Sequence, residues 1–205
     1  RERVGWTGDW QLFCPTAAFL YDVAGFSAKW LRDLRSGQWA DGRVPNYVPD
    51  PYGPVSHDEG PAGFLTGSAG WGDATTIVPW EMWAEYGDER FLSENYTAMV
   101  AWVDFAARRA HEGRHASRVA RRPDPAPHET HLWDTGFHWG EWCEPDGIPE
   151  GTFTLEEDMA AVATAFLFRS ASLVQRAATI LGNTVDANQF GELADAVRSA
   201  WQLEF

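Results

Sequence analysis

The sequence predicts an all-α chain, and three observations carry that expectation. Apolar residues recur at three- and four-residue steps along the regular segments, and period-two alternation is scarce throughout. The segments are punctuated by helix-stop and helix-start residues such as Gly87, Asp88 and Gly182. Long Gly-, Pro- and Trp-rich stretches separate them, so the pattern reads as about five helices, paired by short turns into α-hairpins and joined by long aromatic loops.

In chain order, Phe19, Leu20, Val23, Phe26, Trp30, Leu31 and Leu34 predict a helix from about Thr16 to Arg35, with Pro15 tolerable only near its first turn. A second helix is expected from about Pro79 to Tyr86, stopped by Gly87. Asp88 then reads as the cap of a third, with Phe91, Leu92, Tyr96, Met99 and Val103 on its buried face. Thr154 and Glu157 have capping-box spacing before a long helix through Met159, Val162, Phe166, Leu173, Ala177 and Leu181, ended by Gly182. A last helix is expected from about Asn188, burying Phe190, Leu193, Val197 and Trp201. The intervening loops are Gln38 to Gly72, His111 to Trp133 and Asp134 to Thr152; no internal sequence repeat accompanies the hairpins.

At 205 residues the chain has room for one sizeable core. Its net charge of −14 argues against a nucleic-acid partner, because phosphate binding needs a cationic surface. Arg108, Arg109, Arg114, Arg118, Arg121 and Arg122 are a local exception; they read as a solvated loop in preference to a basic docking arm. Cys14 and Cys143 are too few for a disulfide framework. No apolar stretch is long enough for a membrane helix and no signal peptide is present, which leaves the compartment open between cytoplasm and secretion.

The 12 tryptophans are the compositional outlier, and Trp6, Trp71, Trp139 and Trp142 lie in Gly-rich, polar loops where an indole suits a ligand better than a core. Three carboxylate–indole clusters result: Glu2, Trp6 and Asp9; Trp71 and Asp73, leading into Pro79-Trp80-Glu81; and Trp139, Glu141 and Trp142. Flanking glycines let the backbone approach a ligand closely. Carboxylates hold hydroxyls through charged hydrogen bonds of about 1.5–3 kcal/mol each, while indoles cover apolar ring faces, so the combination points to a carbohydrate ligand. Glycoside cleavage needs a carboxylic acid that keeps its proton, with a pKa raised by aromatic burial or a like charge. Glu2, near Trp6 and Asp9, is the candidate, with Arg1 and Arg3 turned away from it or paired elsewhere.

A competing pattern is His111-Glu112-Gly113-Arg114-His115, which matches the H-E-x-x-H spacing of zinc sites. Zinc chemistry wants a stiff helix, and here a glycine interrupts the motif and a Pro-rich loop follows. His128-Glu129-Thr130-His131 offers a third ligand only from a loop. No metal or other cofactor is expected.

Arg1-Glu2-Arg3-Val4-Gly5-Trp6-Thr7-Gly8-Asp9 resembles the R-x-E-R-x-G-W-x-G-D block of glycoside hydrolase family 78, the bacterial-type α-L-rhamnosidases. The likeness continues through Ala17-Ala18-Phe19, Asp22 to Phe26, Lys29 to Leu34, Gly42 to Asn46, Gly70 to Ala74, Val78 to Glu81 and Trp139 to Trp142, and covers most of residues 1–182. It implies an (α/α)6 barrel, the six-hairpin glycosidase fold, and inverting hydrolysis of terminal α-L-rhamnosides. It further implies that Glu2 is the general acid, that Trp6, Asp9 and Trp71 line the rhamnose pocket, and that either Trp139 or Trp142 joins them. Arg1 stands where the family commonly has an acidic residue, and Glu141 where Asp is usual. The family's general base is a Glu of a later hairpin, outside this chain, and an Asp and an Arg of the pocket precede the block. About five helices make an incomplete barrel, so residues 1–205 are expected to be part of a catalytic domain continuing at both ends, and to fold poorly or lack activity alone. The alternatives are a six-hairpin glycosidase for another sugar and a non-catalytic carbohydrate-binding remnant.

Overall fold

A computed structural model describes residues 3–50, 66–140 and 159–205. Among them run eight α-helices: α1 (Thr7–Leu20), α2 (Ala24–Gly37), α3 (Ala74–Tyr86), α4 (Arg90–Ser93), α5 (Tyr96–Glu112), α6 (Ala116–Arg121), α7 (Met159–Ile180) and α8 (Thr184–Glu204), with a 3-10 helix at Pro127–His131. The long helices follow one another as three successive pairs, α1 and α2, α3 and α5, and α7 and α8; α7 and α8 pack extensively along each other, whereas α1 and α2 each pack on α3. Helix α3 is the hub, touching α1, α2, α4, α5 and α7. The all-α expectation holds, and three hairpins amount to half of a six-hairpin barrel.

Position in the hub explains the character of α3. Ala74, Thr75, Thr76, Ile77, Val78, Pro79 and Trp80 are all buried, so the helix is covered all round rather than striped. That is why its start is five residues earlier than the one expected at Pro79: without a polar face, periodicity gives no edge to detect. Its end is as expected, at Gly87 in the left-handed region (φ 66°).

The single helix expected from Thr16 to Arg35 is two helices. The chain extends at Tyr21, the Asp22 carboxylate accepts from the Ala24 N–H, and the Val23 N–H donates to the Tyr86 hydroxyl at 2.9 Å. That last bond anchors the bend to α3, 63 residues away, and local periodicity cannot register it. Helix α1 also runs through Pro15. Proline leaves the Gln11 carbonyl without its usual amide donor, and the Cys14 thiol, at 3.5 Å, donates to it instead. Burial in the α1–α3 seam pushes this thiol up to about 12.

The third expected helix is interrupted as well. The Asp88 carboxylate accepts from the Arg90 N–H at the start of α4. Asn95 then separates α4 from α5, its side-chain amide donating to the Phe91 carbonyl at 2.8 Å while its oxygen accepts from Arg35. Phe91, Leu92, Met99 and Val103 are buried as expected, and Tyr96 is partly buried. The capping box Thr154–Glu157 lies outside the described residues, as does Cys143. Helix α7 stops before Gly182 (φ 75°), and α8 begins at Thr184, earlier than expected, because the Asn183 side chain accepts from the Asp186 N–H. Phe190 and Val197 are buried, whereas Trp201 is 38% exposed and donates to the Ala161 carbonyl.

The His111–Trp133 segment is not a structureless loop, and although Arg121 and Arg122 are exposed, its arginines are not all solvated. Arg118, 3% exposed, holds the Asp134 carboxylate at 2.5 Å and also pairs with Glu204 at the end of α8. Arg114 and Arg122 grip Glu129 at 2.7 and 2.6 Å. Burial tends to raise Glu129, but hydrogen bonds from Arg122, the Ala126 N–H and Arg114 outweigh it and bring the carboxyl down to about 2. The partners of these arginines come from as far as 86 residues away, so charge counting along the chain misses the network. The H-E-x-x-H pattern straddles a helix break at Gly113, and the His115 ring caps α6 by accepting from the Ser117 N–H. The two histidines therefore do not share a helical face.

A cluster of large apolar side chains faces outward from the first hairpin: Leu12, Phe13, Phe19, Leu20, Tyr21 and Phe26 are each at least half exposed. Among the described residues no helix is long and apolar enough to cross a membrane.

Candidate active site

The cleft is assembled from three backbone segments that converge at the start of α1. Residues 5–7 are stapled to residues 46–48: the Thr7 N–H and hydroxyl donate to the Asn46 carbonyl at 2.8 and 3.0 Å, and the Val48 N–H donates to the Gly5 carbonyl at 2.8 Å. The approach is close enough that a Cβ on Gly5 would lie 2.5 Å from the Val48 carbonyl oxygen, which only glycine permits. One turn on, a Cβ at Gly8 would meet the Trp71 indole at 3.1 Å, so this glycine lets α1 lie directly on that ring.

Three indoles meet there. Trp139 stands edge-on to Trp6, with centroids 5.9 Å apart, and tilts over Trp71 at 5.5 Å. Tyr47 packs edge-on against Trp6 at 5.2 Å, and Phe137 against Trp139 at 5.0 Å. Such offset and T-shaped contacts each add about 0.5–1.5 kcal/mol beyond area burial and fix ring orientation. All three indoles are partly buried, with surface left to meet a ligand. Trp6, Trp71 and the exposed Asp9 line a cleft of about 1060 Å³, together with Gln11, Ala69, Gly70 and Gly140.

Asp73 does not join them. It is fully buried: one carboxylate oxygen accepts from the Gly70 N–H at 2.8 Å, and the other from the Trp102 indole N–H at 2.9 Å and the Ser170 hydroxyl at 2.5 Å. Burial raises its pKa, against the opposing pull of the hydrogen bonds from Ser170, Trp102 and Gly70. The expectation of a sugar contact at Asp73 is corrected: the side chain turns inward because α3 begins directly after it and points it at α5 and α7. Glu2, Glu141 and Trp142 lie outside the described residues.

Sequence reasoning missed Tyr47, Phe137 and His138. For Tyr47 the available signal was its place beside Gly42-Arg43-Val44-Pro45-Asn46; for His138 it was adjacency to Trp139. The His138 imidazole is 1% exposed, with Nδ1 accepting from the Ala69 N–H at 3.0 Å and Nε2 3.3 Å from the Thr135 carbonyl. Burial lowers its pKa to about 4, assisted by Arg109 and opposed by the Thr135 contact.

That shift sets an acid-stability window. An unfolded histidine binds a proton near pH 6.5 and this one, when folded, near 4, so below 6.5 the unfolded state takes up more protons. The contribution is intact above about pH 6.5 and falls away towards pH 4, by up to ~3 kcal/mol. Urea midpoints of the full-length protein are expected to drop between pH 7 and pH 4.5, and to drop less in His138→Gln; equal pH slopes would contradict this.

The whole chain, residues 1–205, matches the family described as bacterial alpha-L-rhamnosidase 6 hairpin glycosidase domain. It is 33% identical over 205 residues to an alpha-L-rhamnosidase of Formosa agariphila and 29% identical over 210 residues to one of Alteromonas sp. (strain LOR). Each alignment takes in 100% of this chain and 19% of the relative. The crystal structure of Streptomyces avermitilis alpha-L-rhamnosidase complexed with L-rhamnose superposes with a TM-score of 0.73 at 31% identity, over 100% of this chain and 16% of that one. The chain thus spans about a fifth of the length of the relatives it matches.

Proposed function

Since the chain belongs to the bacterial α-L-rhamnosidase six-hairpin glycosidase family, we propose that it contributes the acid half of an active site that hydrolyses terminal α-L-rhamnosides with inversion. The observation that carries this reading is the convergence of the Trp6, Trp71 and Trp139 rings beside a cleft that Trp6, Trp71 and Asp9 line. An L-rhamnose ring offers an apolar face, including its methyl group, to the indoles, and its hydroxyls to Asp9. Glu141 and Trp142, next in the sequence, add further sugar contacts. Glu2, four residues before Trp6, protonates the departing glycosidic oxygen, while a carboxylate from outside this chain activates water on the opposite face of the sugar.

In the full-length protein, L-rhamnose is expected to quench tryptophan fluorescence, and an aryl α-L-rhamnoside to be preferred over other aryl glycosides. NMR of the first turnover is expected to show the β-anomer. Trp139→Ala and Trp71→Ala are each expected to weaken L-rhamnose binding about tenfold, equivalent to ~1.4 kcal/mol. Preference for a different sugar in the panel would reject the substrate while keeping the fold, and a first-formed α-anomer would reject inversion.

A further inference from the structure

The Trp71 and Trp139 indoles belong to separate loops, Ser68–Gly72 and Asp134–Gly140, and a sugar-stacking wall requires the two to keep a fixed spacing. One buried side chain bridges them. The imidazole of His138 precedes Trp139 and accepts from the Ala69 N–H, two residues before Trp71. Its other nitrogen faces the Thr135 carbonyl within its own loop, and its ring stands edge-on to Trp133 at 4.6 Å. Trp133 is in turn tied to α7 by the Thr164 hydroxyl, which accepts from its backbone N–H at 3.0 Å. On the other side, the amide next to Ala69, that of Gly70, is held by Asp73. Consecutive amides of the Trp71 loop are thus gripped by an imidazole and a carboxylate, one anchored through Trp133 to α7 and the other at the start of α3.

From this geometry we infer that His138 is a positioning residue for the indole wall, holding Trp139 at its working distance from Trp71. The bond fixes the tautomer: an amide donor requires a bare Nδ1, so the proton sits on Nε2 and points at Thr135. Burial keeps the ring neutral at neutral pH, as that arrangement needs. The inference rests on the proposed stacking of the sugar against Trp71 and Trp139.

The test uses three variants of the full-length protein. In His138→Asn the Oδ1 atom replaces Nδ1 as acceptor for the Ala69 N–H; in His138→Gln the amide matches Nε2 instead; His138→Phe keeps the ring and neither bond. Losing one buried hydrogen bond corresponds to about a tenfold effect. His138→Phe and His138→Gln are therefore expected to weaken L-rhamnose binding about tenfold and to raise KM for an aryl α-L-rhamnoside with little change in kcat, and His138→Asn to restore both to within about threefold. Unchanged binding in Phe and Gln, or equal loss in Asn and Phe, overturns the inference. If Phe does not fold, the Gln–Asn comparison decides. If the unsubstituted protein does not bind L-rhamnose, the functional reading fails. The clamp is then judged by hydrogen exchange at the Ala69 amide, expected to be slow in the unsubstituted protein and Asn and fast in Gln; equal exchange in all of them refutes it.

Discussion

Glu2→Gln in the full-length protein is expected to cut turnover of an alkyl or glycosyl α-L-rhamnoside by roughly 10²–10⁴-fold while leaving L-rhamnose affinity within about twofold. The amide keeps the size and hydrogen-bonding reach of the acid but has no proton to give. A general acid matters in proportion to how badly the leaving oxygen needs protonation. The deficit is therefore expected to shrink for nitrophenyl rhamnosides, whose phenolate departs readily unaided. A merely structural Glu2 would reduce both substrate types equally. Near-normal hydrolysis of a disaccharide substrate by Glu2→Gln would remove Glu2 from the acid role.

Asp73→Ala is expected to destabilise the full-length protein by about 3–5 kcal/mol, because three buried neutral donors lose their acceptor at once. The substitution strands the Trp102 indole N–H, the Ser170 hydroxyl and the Gly70 N–H in a sealed environment, and an unsatisfied buried group costs about 1–3 kcal/mol. Asp73→Asn is expected to lose less, about 1–3 kcal/mol, because its oxygen still accepts while its NH2 confronts a donor. Denaturant unfolding measures both. If Asp73 were a sugar contact, Asp73→Asn would lower L-rhamnose affinity without moving the unfolding midpoint, and that result would restore the original expectation.

Asp73 also illustrates where the sequence was legible and where it was not. The ring cluster could be read because glycines flank its indoles in the sequence, Gly5 and Gly8 about Trp6, Gly70 and Gly72 about Trp71 and Gly140 after Trp139, and that signal is local. The direction of a carboxylate beside such an indole is not local. It depends on the start of α3 and on Trp102 and Ser170, which lie 29 and 97 residues away. The same distance dependence hid the pairing of Arg118 with Glu204, and it concealed His138 behind its more conspicuous neighbour. Helix type followed from apolar spacing, but helix number did not: the first expected helix is α1 and α2, and the third is α4 and α5. Helix starts were lost wherever a buried segment had no polar face, as at Ala74–Pro79, or where a side chain such as Asn95 or Asn183 cut or capped the run. Pro15 and Pro79, taken from the sequence as boundary markers, both sit inside helices that packing holds together.

Helix α3 has a consequence for the chain as it is being made. The Ser170 hydroxyl on α7, which bonds both the Thr76 hydroxyl and the Asp73 carboxylate, follows them by 94 and 97 residues. At translation rates of 5–20 residues per second, a ribosome needs about 5–20 s to cover that gap. During that interval the most extensively buried of the long helices, with a carboxylate at its head, has emerged without the element that completes its enclosure. Successful biogenesis therefore depends on keeping the nascent α3 from foreign contacts until α7 arrives, either by provisional packing against α1 and α2 or by a chaperone.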